Sequence, residues 1–204
     1  MNFFSEKTAK AISYLFHPLL MPTFGLFIMF SSGTYLSFLP VEGERLIYLI
    51  IFSGTFLVPL CFVPLYFYFK IIRNAEMDTA QQRFLPLIIT LTAYCCTFYL
   101  MRKIPIPFIN GFILACCISL LLNAFILLRW KISSHLIGLG GLVGLLIALN
   151  IRLNADIILT LIMVLLVSGV VAASRLKLAA HSPSEVYGGF FLGMLVVASL
   201  LVFV

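Results

Sequence analysis

The sequence predicts an all-α membrane protein, a polytopic bundle of six or seven transmembrane helices. Residues 1–204 are expected to form a single integral membrane domain. Of the 204 residues, 63% are hydrophobic and only 10% are charged, whereas a soluble domain carries about 25% charged residues. The charged residues fall in short breaks between long apolar runs. Because a transmembrane helix needs about 20 apolar residues, the chain has room for six or seven helices and for no separate soluble domain.

The first two spans are expected at residues 14–38 and 46–69. The N-terminus lacks the basic region, apolar region and cleavage site of a signal peptide, so we expect a short amphipathic lead into span 1. Residues 40–45, PVEGER, are expected to form an interfacial loop because they are rich in charge. Pro59 and Pro64 predict bends in span 2, since proline removes a backbone hydrogen bond from a helix. Whether span 1 crosses the membrane stays open at this point.

Five further spans are expected at residues 84–101, 107–128, 134–151, 155–173 and 183–204. The fourth of the seven ends at Arg129-Trp130-Lys131, whose aromatic and cationic side chains suit a membrane interface. The fifth contains closely spaced glycines, which predict close packing against another helix. These are Gly138, Gly140, Gly141 and Gly144.

Three polar segments, residues 70–84, 129–135 and 174–182, are each separated from the next by two predicted spans. An even number of crossings returns the chain to the same side of the membrane. The sequence therefore predicts that the three segments meet at one face, whether or not span 1 crosses. Charged groups at membrane depth are costly and are kept mainly for function, so this face is the predicted functional site.

The last of these segments has Arg175 at its start and His181 just before span 7. The next residues, Ser182-Pro183-Ser184-Glu185, have the pattern of a helix start, with an N-cap serine, a proline first and a glutamate third. Glu185 therefore has one possible role as a capping-box residue. It has another as a partner of His181, where it would fix the tautomer and leave the other ring nitrogen free to attack. Both roles can hold together.

The middle segment leads into span 5 with Lys131-Ile132-Ser133-Ser134-His135. A lone histidine there is usually an interfacial residue, but a second histidine on the same face as His181 can donate a proton to a leaving oxygen. Lys131, Ser133, Ser134 and the nearby backbone N–H groups can bind phosphate oxygens.

The first segment brings Arg83 to the same face, where it is either a positive anchor at a helix end or a forked donor to a phosphate. Lys70 and Arg73 can play the same part with less support from their positions. Asp78 either orients Arg83 or is solvated. Two histidines, two arginines, serines and one carboxylate suit phosphoryl transfer: one histidine attacks phosphorus, cations stabilise its oxygens, and the other histidine protonates the leaving group.

This set requires no metal and no other cofactor. The formal net charge is +6, but no basic run or fold signature indicates nucleic acid, and the positive charge is better explained by loops near anionic headgroups. The expected partners are a substrate that carries a phosphate group and membrane lipids.

The same residues resemble the motifs of the type 2 phosphatidic acid phosphatase superfamily, which includes lipid phosphate and prenyl-diphosphate phosphatases. The third motif, S-R-x5-H-x3-D, is matched by Ser174-Arg175, His181 and Glu185. The second motif, P-S-G-H, is matched by Ile132-Ser133-Ser134-His135. In the first, K-x6-R-P, only Arg83 matches, and the proline is displaced by two residues.

The resemblance covers about residues 75–190 and implies a phosphatase-like core at about 70–204. It implies that His181 is the nucleophile that forms a phosphohistidine, that Glu185 orients it, and that His135 is the general acid. It also implies that the substrate is a lipid phosphate, bound by a set of polar residues, namely Arg83, Arg175 and Ser133. Glutamate replaces the family's aspartate, Ser134 replaces a glycine, and the first-motif lysine is missing unless Lys70, Arg73 or Lys131 substitutes for it.

The sequence therefore predicts a membrane phosphatase that hydrolyses a lipid phosphate or prenyl diphosphate without a metal. The missing lysine and Ser134 motivate an alternative, a non-catalytic binder or transporter of an anionic lipid headgroup. A third possibility, a purely structural bundle, has support only from small residues such as Gly189 and Gly193. The substrate's lipid tail and the oligomeric state are not specified by the sequence.

By the resemblance, the expected location is a bacterial inner membrane. If span 1 crosses, the motif face carries nine Lys and Arg residues and the other face four. The positive-inside rule then favours a cytoplasmic site. If Arg83 and Arg175 are left out of the count as catalytic residues, the motif face has seven Lys and Arg residues against four. Many bacterial members of the superfamily act on the outer side of the membrane, so the side that holds the site stays open.

Overall fold

A computed structural model describes residues 5–72 and 79–203. These residues form helices joined by turns, with no β-strand among them, so the predicted all-α class is confirmed. Seven helical segments of the described chain are long and apolar enough to cross a membrane. They are Glu6–Phe30, Val41–Tyr68, Gln81–Met101, Pro107–Leu127, Ser134–Leu153, Ile158–Lys177 and Pro183–Phe203. The chain is an integral multi-pass membrane protein, as predicted.

The first segment consists of α1 (Glu6–Leu15), a 3₁₀ turn (Pro18–Leu20) and α2 (Met21–Phe30). The predicted bounds of 14–38 are wrong at both ends. The helix begins earlier because the Ser5 hydroxyl accepts the Thr8 N–H at 3.1 Å and so caps it. It ends earlier because the chain turns at Gly33, whose φ of +69° is accessible mainly to glycine.

The second segment begins with α3 (Val41–Phe52), so the interfacial loop predicted at residues 40–45 is instead a helix start. Glu42 and Glu44 lie in its first turn, where the helix dipole favours negative charge. A π-helical turn follows α3, and two short helices, α4 (Val58–Cys61) and α5 (Val63–Tyr68), complete the segment. Prolines stand at the start of each short helix, so the interruptions that they predicted are confirmed.

Five longer helices complete the bundle. They are α6 (Ala80–Met101), α7 (Pro107–Leu127), α8 (Ser134–Leu153), α9 (Ile158–Lys177) and α10 (Pro183–Phe203). Their bounds lie within a few residues of the predicted ones. The largest differences are at the start of α6, which begins at Ala80 rather than at 84, and at the end of α9. Helix α9 continues to Lys177 and therefore carries Arg175 in its last turn rather than in a loop.

Helices α8 and α10 make the closest contact in the bundle, and α8 is the most buried of the seven spans. Glycines line both sides of this contact. A Cβ at Gly144 would lie 2.5 Å from the Met194 carbonyl oxygen, and one at Gly193 would overlap the Ile137 carbonyl oxygen. The close packing predicted from the glycines is therefore confirmed. It holds the first turns of α8 and α10 side by side at the predicted functional face.

Candidate active site

A cavity of about 250 Å³ opens where α6, α8 and α10 begin. Five of the predicted site residues line it: Arg83, Ser134, His135, Arg175 and His181. Described residues of all three polar segments, including His135 at the start of span 5, thus line one cavity, which agrees with the count of membrane crossings. The described residues that line this cavity include the cations Lys10, Arg83 and Arg175 and no carboxylate.

His181 is held by two hydrogen-bond acceptors on one side of its ring. Its Nδ1 lies 3.0 Å from the carbonyl oxygen of Lys131 and 3.1 Å from Oε2 of Glu185. Its Nε2 lies 3.4 Å from Nη1 of Arg83, and a guanidinium can only donate. The ring therefore carries its proton on Nδ1, and Nε2 keeps a lone pair at the cavity.

Glu185 plays both of the roles that the sequence left open. Its Oε2 accepts the backbone N–H of Ser182 at 3.0 Å, and the Ser182 hydroxyl accepts the N–H of Glu185 at 3.4 Å, which is a capping box. The same Oε2 accepts the Nδ1–H of His181. The carbonyl of Glu185 also accepts the N–H of Ser133 at 3.1 Å, so the start of α10 is tied to the start of α8.

The imidazole of His181, which lies between two spans, is neutral at neutral pH. Burial lowers its pKa from 6.5 to about 4, and the positive charges of Arg83 and Arg175 contribute in the same direction. The hydrogen bond and the charge of Glu185 act in the opposite direction. A low pKa keeps the Nε2 lone pair available near pH 7, which a nitrogen nucleophile needs.

We expect the His181 ring to titrate in the folded protein with a midpoint of about 4. Arg83→Gln should raise this pKa towards 6.5 by removing a neighbouring positive charge, whereas Arg152→Gln, at the opposite face, should leave it unchanged. As the pH falls from 6.5 to about 4, the unfolded chain takes up the proton first, so His181 lowers the folded protein's stability in that window. Nitrogen-15 NMR of histidine-labelled protein would measure the midpoints. Equal midpoints in wild type and Arg83→Gln would contradict this account.

His135 is bound by the N-terminal helix. Its Nε2–H donates to the carbonyl oxygen of Ser13 at 3.2 Å, and Nη1 of Arg175 donates to the Ser13 hydroxyl at 3.4 Å. The ring of His135 also packs edge-on against His17, with centroids 5.8 Å apart. Helix α1, which packs on α9, thus contacts two predicted site residues.

The contribution of α1 to the cavity was missed by the sequence analysis. Lys10, Ser13, Tyr14 and His17 all line it. Their spacing of i, i+3, i+4 and i+7 is that of one helical face. This polar stripe was the signal in the sequence that could have identified α1 as a wall of the site.

The other predicted phosphate-binding residues are placed differently. Ser134 lines the cavity, and its hydroxyl accepts Nδ2–H of Asn123 at 3.1 Å. Ser133 is fully buried outside the cavity lining, and Lys131 contacts His181 through its backbone carbonyl. Lys70 is exposed and does not line the cavity.

Two further residues named from the sequence, Arg73 and Asp78, lie outside the described part of the chain. Within residues 5–72 and 79–203, no three His, Cys, Asp or Glu side chains are grouped so as to hold a metal ion. The residues of the cavity are instead suited to an anion, because the lining combines cations with imidazole rings.

No protein-family model, curated protein or solved structure matches the chain. The function of the chain is therefore inferred from the motifs in its sequence and from the geometry of this cavity.

Proposed function

We propose that the chain is a membrane phosphatase that hydrolyses a lipid phosphate or prenyl diphosphate through a phosphohistidine at His181, without a metal. One observation carries this proposal: His181 is held at Nδ1 by two acceptors, and its Nε2 lies beside the Arg83 guanidinium in a cavity lined by cations. A histidine nucleophile needs this arrangement, with its proton fixed on Nδ1 and a lone pair left on Nε2.

In the first step, Nε2 of His181 attacks phosphorus while the bond from phosphorus to the leaving oxygen breaks. Arg83 and Arg175 stabilise the negative charge on the other phosphate oxygens. The leaving oxygen takes a proton from the protonated form of His135. The Nε2–H of His135 is held by the Ser13 carbonyl, and no described residue bonds to its Nδ1, so Nδ1 is the nitrogen that transfers the proton.

In the second step, a water molecule attacks the phosphorus of the phosphohistidine and gives a proton to His135. The bond from phosphorus to Nε2 breaks, which returns the lone pair to His181 and releases inorganic phosphate. Glu185 and the Lys131 carbonyl keep the proton on Nδ1 and support the positive charge that the ring carries between the two steps.

The lining of the cavity supports a lipid substrate. Besides the cations and imidazole rings, it includes apolar side chains of α4 to α7, namely Pro59, Leu60, Val63, Leu87, Leu120 and Leu127. A second cavity of about 60 Å³, lined mainly by apolar residues, shares five lining residues with the first: Pro18, Tyr94, Leu120, Asn123 and Ser134. An amphiphile with one phosphate end and one apolar end matches this arrangement.

The proposal includes a core of the type 2 phosphatidic acid phosphatase kind at about residues 70–204 and a place in a bacterial inner membrane. Support comes from the order of the three motifs along the chain and from their meeting around one cavity.

The direct test is phosphate release from a panel of detergent-solubilised lipid phosphates and prenyl diphosphates, with and without a chelator. We expect turnover of at least one substrate, and the same rate when the chelator is present. Loss of the rate on chelation would contradict the metal-independent mechanism, and no turnover of any substrate would contradict hydrolysis.

A non-catalytic binder of an anionic lipid headgroup is the second candidate, and the bond from His135 to Ser13 favours it. In neutral His135 the only N–H is engaged by the Ser13 carbonyl, so the ring has no proton to give until it is protonated. A chain that binds inorganic phosphate and releases none from any lipid substrate would support this candidate.

Glu185→Ala should lower phosphate release by roughly 100-fold, less than the loss of His181 itself, because the nucleophile loses its orienting partner. Glu185→Gln is the matched control, since its amide oxygen can still accept from Ser182 and His181. We expect Glu185→Gln to lose less activity than Glu185→Ala when kcat is measured on the same substrate. Equal rates in wild type and Glu185→Ala would contradict the role of this residue.

A further inference from the structure

The turn after α1 places a third histidine in the cavity. His17 lines it together with His135 and Arg175, and its ring packs edge-on against that of His135. The chain contains three histidines, and all of them line this one cavity. His17 belongs to none of the motifs that the resemblance assigned.

The hydrogen bonds of His17 determine which ring nitrogen can donate. Its Nδ1 accepts the backbone N–H of Leu19 at 3.3 Å and caps the 3₁₀ turn. The neutral ring therefore carries its proton on Nε2. No described residue accepts this Nε2–H, so it is a hydrogen-bond donor available to a ligand in the cavity.

We propose that His17 is an additional phosphate-binding residue, whose Nε2–H donates to an oxygen of the substrate's phosphate group. This inference rests on the proposed function, since it concerns the same site. The charge around His17 favours an anion, because Lys10 and Arg175 line the cavity with it and no carboxylate of the described chain does. Helix α1 and its turn then form part of the substrate site rather than only a membrane anchor.

Two substitutions separate this role from the cap that His17 provides. In His17→Asn, Oδ1 can still accept the Leu19 N–H, but the donor at the Nε2 position is lost. In His17→Gln, the amide N–H reaches the position of Nε2. The full chain in detergent would be titrated with inorganic phosphate by calorimetry. KM and kcat would be measured on a lipid phosphate that the wild-type protein hydrolyses.

We expect His17→Asn to bind inorganic phosphate roughly tenfold to 100-fold more weakly than wild type, as for a lost hydrogen bond to a charged group. His17→Gln should stay within about threefold of wild type. The loss in His17→Asn should appear mainly in KM. In wild type, added phosphate should also shift the nitrogen-15 resonance of His17 Nε2, a readout that needs no substitution.

Wild-type phosphate affinity in a folded His17→Asn, or an unshifted Nε2 resonance, would overturn the inference while leaving hydrolysis at His181 intact. Weakened phosphate binding in His17→Asn, with no turnover of any lipid phosphate by wild type, would support the role of His17 and contradict the proposed hydrolysis. Absence of phosphate binding to wild type would overturn this inference.

Discussion

His181→Ala is expected to lower phosphate release from a lipid phosphate at least about 1000-fold, with no loss of folding. In the proposed mechanism, Nε2 of His181 supplies the electron pair that forms the new bond to phosphorus. Arg83 and Arg175 can only donate hydrogen bonds. Of the two ring nitrogens of His135, Nε2 is engaged by the Ser13 carbonyl and Nδ1 is the proposed proton donor to the leaving oxygen. The measurement is single-turnover phosphate release with the enzyme in saturating excess over the substrate.

His181→Asn is the matched variant for this experiment. Its side-chain amide can donate to the Lys131 carbonyl and to Glu185, as Nδ1 does, but it has no nucleophilic nitrogen. We therefore expect His181→Asn to retain the thermal unfolding midpoint of wild type and to be as inactive as His181→Ala. Activity of His181→Asn near the wild-type level would show that the ring acts through position alone and would contradict the covalent mechanism.

The intermediate itself can be sought in wild type. Rapid quenching with base should trap a phosphoryl group on the protein, and peptide mapping should place it on His181. His135→Gln should prolong its lifetime, because the base that activates water is lost. A burst of leaving-group release with no phosphoryl group on the protein would instead indicate direct attack by water.

The meeting of Arg83, His135, Arg175 and His181 was predictable because it depends on the number of crossings between segments, not on where each helix ends. The predicted bounds of span 1 were wrong at both ends, yet the site was unaffected. The capping pattern from Ser182 to Glu185 was equally informative, since a helix start is encoded locally. Glu185 can also hold His181, because the two residues are four positions apart, which is about one helical turn.

The part played by α1 was not predictable in the same way. Span 1 was predicted to begin at about residue 14, next to His17-Pro18. In the structure His17-Pro18 is a break within a longer segment, and the residues before it form a helix that reaches the cavity. That arrangement depends on the contact of α1 with α9. The polar spacing of Lys10, Ser13, Tyr14 and His17 indicates a helical face, but it does not say which part of the bundle that face meets.

The choice between Ser133 and Ser134 also needed tertiary structure. The two residues have the same side chain and are adjacent in the sequence. A Cβ at Gly189 would lie 2.6 Å from the Ser133 carbonyl oxygen, so α10 covers Ser133 closely and buries it. Ser134 is turned towards the cavity instead. Only the position of α10 against α8 decides which hydroxyl a ligand can reach.

Gly193→Ala is expected to destabilise the folded protein by about 3 kcal/mol. A methyl group at this position would overlap the Ile137 carbonyl oxygen and would approach the backbone nitrogen of Gly141 to 2.9 Å. Both are backbone atoms of α8 and cannot move aside as a side chain can. The two helices must therefore separate, and the van der Waals contacts that join them in the membrane are weakened.

Gly169→Ala is the matched control, because Gly169 also lies within a spanning helix and a Cβ there would meet nothing within 4 Å. Alanine is the better helix former by about 1 kcal/mol, so Gly169→Ala should leave the free energy of unfolding unchanged or raise it slightly. The single tryptophan, Trp130, packs against Gly188 at the start of α10. Its fluorescence during denaturant titration in detergent would follow the unfolding of both variants. Equal free energies of unfolding in the two variants would contradict the role assigned to this contact.

The same substitution should also affect the active site, although Gly193 lies about 15 Å along α10 from its start. Separation of α8 from α10 would stretch the bond from the Ser133 N–H to the Glu185 carbonyl. The separation would also move the Lys131 carbonyl, which accepts the Nδ1–H of His181 at 3.0 Å, away from the imidazole ring. We therefore expect folded Gly193→Ala to lose kcat more than Gly169→Ala does. The glycines that hold α8 against α10 would then act in catalysis through the orientation of His181, and the bundle's packing and its chemistry would depend on the same contact.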